Sequence, residues 1–362
     1  MIDRCVELST IDWMCTRMTH NTAGNTSPVP TPRESRCRLA INVSQSIVPP
    51  SAEHNLLVGF HFGSDASPGR PSGVVNIGLD PIDGGDLFEC WWFRGDVDHD
   101  VIGNATVAQC EDYAVVVVQV PDASPQDFRT RSHDAYQELL DVAQQVGHSH
   151  LVKIWNYFPS INIGDDDREK YRQFSIGRAE AFEHFGIIDS TVPTGTAVGC
   201  TRDSDLTIIA LMSKHGLLSA ENPRQVSAFE YPRQYGPMSP KFSRGGCVRA
   251  GNHDLFVISG TAAIVGHESV HPNDINLQTT ETLANLHHLC DAISRICGEE
   301  TSLGLEGDSV LRVYLRNPDD LAYVTRELTS LLGNVDTNVV FLHAHICRRE
   351  LLIEIDGVQI AS

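Results

Sequence analysis

Residues Tyr113 to Val120 read YAVVVVQV. Five valines in eight positions have stiff, branched side chains that fit a pleated strand far better than a helix, so the chain must build at least one packed sheet. Earlier runs from Arg38 onward, LAINV, NLLVGFHF, VVNIGL and LFECWWF, carry the same β-branched or aromatic signature. After Val120 the period changes. Ala135, Leu139, Val142 and Val146 recur at helical spacing, strand LVKIWNYF follows from Leu151 to Phe158, and a second helix is expected around Glu169 to Phe185.

The C-terminal half repeats this order. Strand LFVISG (Leu255 to Gly260) precedes a helix with Leu283, Leu286, Leu289, Ile293 and Ile296 on one stripe, then strand VLRVYL (Val310 to Leu315). Asn317 is a natural N-cap with Pro318 at the first helical position, and that helix is expected to reach Gly333 before two closing strands, VVFLHAH and ELLIEIDGV. Both halves therefore read β, α, β, α. The expectation is an α+β protein with a loose extension at residues 1–36, a first domain at 37–190 and a second at 191–362, joined near Asp189 to Gly199.

Composition narrows the function classes. The 362 residues carry a formal net charge of −20, which disfavours nucleic acid as a partner. No apolar run approaches the roughly 20 residues needed to cross a bilayer, so no membrane is expected. The opening MIDRCVELSTIDWMCTRMTH lacks the apolar stretch of roughly 7 to 15 residues that export requires, which points to the cytoplasm. The ten cysteines include no CxxC pair, so reduced thiols are expected rather than a zinc ribbon or a disulfide framework.

Against this acidity, Tyr231 to Ala250 (YPRQYGPMSPKFSRGGCVRA) holds Arg233, Lys241, Arg244 and Arg249 with no acidic residue. Its prolines and glycines give a bent, stiffened loop, so the stretch reads as an anion site, with an exposed, solvated basic loop as the plainer alternative. HESVH at His267 to His271 matches the HExxH zinc pattern in letters only. Pro272 biases His271 away from helical geometry and the preceding ISGTAAIVG is strand and turn, so no metal is expected. No GxSxG, P-loop or GxGxxG occurs. In ELLIEIDGV, Leu351, Ile353 and Ile355 share one face and Glu350, Leu352, Glu354 and Asp356 the other. Glu354 becomes a general acid if that second face is covered, and a solvated surface group if it is not.

Several stretches together resemble the chorismatase family, relatives of the RidA/YjgF fold: IWNYFPSIN, REKYRQFSIGRAEAF, YPRQYGPMSPKFSRG, ISGTAAIVGHESVHPND, QTTETL and ICRRELLIEIDGV. The resemblance spans about Leu151 to Val358, with Lys153 standing where an arginine is expected before WNY. It implies two RidA/YjgF-like (chorismate-mutase-like) domains, each a mixed sheet backed by helices. The implied substrate is chorismate, a small dianion, cleaved with no metal or organic cofactor. Arg233 and Arg244 are then candidates to pair its carboxylates, with Tyr235, Tyr171 and Arg178 as further contacts. Glu354 matches the family's general acid, which protonates the enolpyruvyl methylene.

The resemblance also bears on the product. Gly260 and Cys347 match the branch that forms 3-hydroxybenzoate through an arene oxide; the alternatives are hydrolysis to a dihydroxycyclohexadiene carboxylate, or 4-hydroxybenzoate. A RidA-like imine deaminase is disfavoured, because Val339 and Val340 stand where a carboxylate-gripping arginine is needed and Arg348 and Arg349 lie beyond. A non-catalytic small-anion binding protein would bind chorismate without releasing pyruvate. The oligomeric state stays open.

Overall fold

The first five strands are β1 (Leu39–Ser44), β2 (His54–Phe62), β3 (Val74–Asn76), β4 (Asp80–Pro81) and β5 (Leu87–Arg94). Four of them make a sheet ordered β1-β5-β2-β3, while short β4 joins the edge of a later one. The computed structural model describes residues 38–64, 71–251, 253–298, 309–332 and 339–361. The loose extension expected at residues 1–36 lies outside the described residues.

A second sheet follows from β6 (Asp98–Ile102), β7 (Ala105–Gln109), β8 (Tyr113–Val120), α1 (Phe128–Gln145), β9 (His150–Pro159), α2 (Lys170–His184), β10 (Thr194–Cys200) and β11 (Leu206–Ser213). Its order is β10-β9-β11-β8-β7-β6. The third sheet draws on β12 (Leu217–Ala220), β13 (Gly245–Arg249) and β14 (Asp254–Ala262), and a small hairpin, β15 (Ile264–Val265) with β16 (Glu268–Ser269), comes next. Then come α3 (Ile275–Cys297), β17 (Ser309–Leu315), α4 (Leu321–Leu332), β18 (Val339–His343) and β19 (Ile353–Ala361), giving the order β12-β13-β14-β19-β17-β18-β4.

Apart from β4, the second and third sheets share one topology. Three consecutive strands are followed by helix, strand, helix, strand, and a last strand inserts beside the third: β11 between β8 and β9, β19 between β14 and β17. The repeat expected from the sequence is therefore offset from its expected boundary. The chain passes from one repeat to the next between Ser213 and Leu217 rather than near residue 190, because β10 pairs with β9 and β11 with both β8 and β9. The sheet of β1, β5, β2 and β3 stands outside this plan.

Alternation along each strand sorts side chains into layers. In β8, Tyr113, Val115 and Val117 enter the core between the sheets, whereas Ala114, Val116 and Val118 pack under Tyr136, Leu139 and Phe182 of α1 and α2. Burial on both faces explains the unbroken valine run, each valine contributing roughly 1.5–3 kcal/mol. The third sheet is backed in the same way by α3 and α4. Asp274 caps α3 by accepting from the Leu277 amide at 3.0 Å, and Gly298 ends it at φ 74°. Leu286, Leu289 and Ile293 face the sheet as expected, but Ile296 is exposed and Cys297 takes the buried place. Asn317 opens a single 3-10 turn, Pro318–Asp320, and its side-chain amide donates to Asp320 instead of capping α4. Among the described residues no helix is long and apolar enough to cross a membrane.

Candidate active site

The alternation that sends Ile353 and Ile355 under the helices turns Glu354 and Asp356 toward the other layer, where both are enclosed. Glu354 is only 3% exposed and sits between Ala262 of β14 and Tyr314 of β17. Burial, then the neighbouring Asp356 carboxylate, pushes its pKa up to about 8 against the pull of Lys153 and Arg244. The group is therefore mainly a neutral acid at pH 7. It borders a cavity of about 510 Å³ that Gly260, Cys347, Arg244, Tyr235 and Tyr171 also line.

Gly260 lies in an irregular stretch of β14, where the register to β19 shifts between Ile258 and Thr261. A Cβ there would stand 2.0 Å from Glu354 Oε1, so the acid occupies space that only glycine leaves open. Cys347 Sγ is 3.9 Å from Glu354 Oε2. Burial and the Glu354 charge hold the Cys347 thiol far above its usual range, so it enters the site as a neutral S–H rather than a thiolate.

The cationic wall is an alternating stack. The Arg244 guanidinium lies 5.4 Å from the Tyr231 ring and 5.2 Å from Phe242, and that of Arg348 lies 5.2 Å from Tyr231 and 3.8 Å from Tyr235. Arg244 Nη2 donates to Val226 O at 3.0 Å and to the Tyr231 hydroxyl at 2.6 Å, while its buried Nε has no hydrogen-bond partner. Arg348 Nη1 donates to His267 O and Ser269 Oγ, both at 3.0 Å, and the Tyr235 hydroxyl meets His267 Nδ1 at 3.2 Å. Two planar forks held against aromatic faces suit a ligand with two carboxylates.

Two expected contacts fall elsewhere. Arg233 points outward, its side chain 64% exposed, and forks onto Asp167 at 2.9 and 2.5 Å. Arg178 is buried in the helical layer, 4.9 Å from the Phe174 ring, and does not line the cavity. Of the other basic-island residues, Lys241 pairs with Asp189 at 2.6 Å and Arg249 is exposed at the end of β13, so Arg244 is the island cation that enters the site. HESVH runs from the β15–β16 turn through β16 into its exit turn, with His271 at φ 57°, and its two histidines share no helix. The sequence signals Arg348 only by its place six residues before Glu354, and Tyr231 and Phe242 only by lying inside the basic stretch.

The fold and this cavity define a class. Residues 89–212 match the family model described as chorismatase FkbO/Hyg5-like, N-terminal. The chain is 33% identical over 312 residues to a chorismatase of Streptomyces rapamycinicus, covering 82% of this chain and 89% of that one. It is 30% identical over 276 residues to a 3-hydroxybenzoate synthase of Streptomyces hygroscopicus, covering 75% and 80% respectively. A solved chorismatase structure superposes with a TM-score of 0.78 at 26% identity, over 90% of this chain and 98% of that one. The chain belongs to the chorismatase family.

Proposed function

We propose that this protein cleaves chorismate to 3-hydroxybenzoate and pyruvate. The observation that carries the reading is a buried, neutral Glu354 beside a cavity walled by Arg244 and Arg348. Arg244 and Arg348 hold the two carboxylates, and Tyr171 and Tyr235 shape the walls. Glu354 delivers its proton to the enolpyruvyl methylene, giving an oxocarbenium ion. The C4 hydroxyl then attacks C3 as the C3–O bond breaks, pyruvate leaves, and the hydroxyl proton returns to the Glu354 carboxylate. The resulting arene oxide opens at its C4–O bond, and as C3 loses its proton the oxygen left on C3 takes one up, giving 3-hydroxybenzoate. An enol ether is a weak base, which is why the acid must be neutral and close. Gly260 and the Cys347 S–H support the aromatic product, as does the relative named 3-hydroxybenzoate synthase. Seven free cysteines among the described residues suit the reducing cytoplasm.

The test is incubation with chorismate and no added cofactor, following pyruvate by coupled assay and aromatic products by chromatography. Pyruvate with 3-hydroxybenzoate is expected. A non-aromatic diol would move the chain to the hydrolytic branch, 4-hydroxybenzoate would overturn the regiochemistry, and absence of pyruvate would favour a deaminase or binding protein. Glu354→Gln should lower kcat by about 10²- to 10⁴-fold while leaving chorismate affinity intact. Near-normal turnover in that variant removes Glu354 from the acid role.

A further inference from the structure

Behind Glu354 lie four charged side chains, Glu89, Lys153, Arg312 and Asp356, that the reaction above does not use and whose side chains are all 0% exposed. Asp356 accepts from Thr196 Oγ1 at 2.6 Å and stands 3.5 Å from Lys153 Nζ and 3.3 Å from Arg312 Nη1. Arg312 forks onto Glu89 at 2.7 and 2.5 Å, and Trp91 Nε1 donates to Glu89 at 2.8 Å. Lys153 also donates to Ile258 O at 2.6 Å, on the strand that carries Gly260, and to Thr196 Oγ1 at 3.2 Å. Two cations and two anions balance within this set, so an ionised Glu354 would have only Arg244, outside the set, left to offset its charge.

We propose that Asp356 and Lys153 are positioning residues for the acid: Asp356, pinned as a carboxylate by Arg312, Lys153 and Thr196, keeps Glu354 protonated, while Lys153 opposes it and ties the Gly260 strand in place. The inference rests on Glu354 being the acid of the proposed reaction. A buried ion network is a poor stabiliser compared with apolar packing of the same shape, which leaves its effect on a neighbouring group as the better reason for four charges here. The groups that face Glu354 are Asp356 on its own strand, Lys153 on β9, Arg244 just before β13, Cys347 in the β18–β19 loop, Tyr314 on β17 and Tyr171 on α2. Burial works against the Asp356 charge, yet Lys153 and Arg312 hold it below the ordinary carboxylate range. Burial brings the Lys153 amine down to about 8, against the pull of Asp356.

The test is an infrared pH titration of the protonated carboxyl band in ligand-free protein, the Glu354 band being assigned by its loss in Glu354→Gln. Asp356→Asn removes a negative neighbour at constant shape and should move the Glu354 titration down by about one pH unit or more. Lys153→Met removes a positive neighbour and should move it up. Activity requires the acid form, so the alkaline limb of the kcat profile should move down and up with these titrations. The double variant restores charge balance and serves if either single variant fails to fold; its titration should fall between wild type and Asp356→Asn. Shifts of the same sign in both single variants, or an unmoved titration in the single or the double variant, overturn the inference. Titrations that shift as expected while the kcat limbs stay put would uphold the network's effect and remove Glu354 as the acid.

Discussion

One absent methyl group fixes where the acid stands. With Glu354 Oε1 2.0 Å from the place a Cβ would occupy, Gly260→Ala must push the carboxyl aside. We expect kcat to fall by about 10- to 100-fold, since misplacing a reacting group by about 1 Å costs on the order of 10². The product ratio should shift toward the non-aromatic diol, and chromatography that finds the wild-type ratio would show that position 260 does not steer the branch. At this scale the sequence is legible where the period is rigid: alternation with Ile353 and Ile355 turns Glu354 to the face opposite the helices, although the layer that covers that face comes from strands far away in the chain. It is not legible where a long side chain leaves a loop. Arg233 and Arg244 look alike in the basic stretch, yet one turns out to Asp167, 66 residues away, and the other in to Tyr231 of the same stretch, a choice set by loop torsions and by where those partners stand.

The element that presents Cys347 and Arg348 is the irregular segment between β18 and β19, and its order comes from side chains that satisfy its carbonyls. Arg316 donates to Leu351 O at 2.8 Å, Ile346 O at 3.1 Å and Arg348 O at 3.0 Å. Gln278 of α3 donates to Glu350 O and accepts from the Leu352 amide, both at 2.8 Å. Arg316→Ala strands three carbonyls at once, so kcat/KM should drop by about 10- to 100-fold while the far-ultraviolet circular dichroism stays native. Wild-type kcat/KM would show that the segment holds its shape without the guanidinium. Elements with a clear pattern, such as β8 and α1, lie open in the sequence, but this clamp does not, because carbonyls carry no residue code.

At the scale of the molecule, topology makes two repeats, but the buried carboxyl beside the cavity belongs to the second alone. Tyr314 lies across from Glu354 in the second repeat and Tyr157 across from Thr207 in the first, the two hydroxyls meeting at 3.5 Å, so the first repeat offers a threonine where the second offers an acid. The repeat is visible in the sequence as element order, but its seam is not, since nothing in the residues says that β10 and β11 pair backward with β8 and β9. A chain with a net charge of −20 repels a dianion at long range, and salt screens that repulsion more than it screens short contacts inside a cavity. Accordingly kcat/KM for chorismate should rise about two-fold or more from roughly 10 mM to 150 mM ionic strength. A fall would mean that the field of Arg244 and Arg348 reaches beyond the cavity mouth. The insertion of β19 between β14 and β17 also bears on synthesis at the ribosome. Both strands emerge well before their common partner, so each carries a bare edge while the nascent chain grows. Because the strand that closes that gap is also the one that bears Glu354, the chain gains its buried carboxyl in the same step that covers those two open edges.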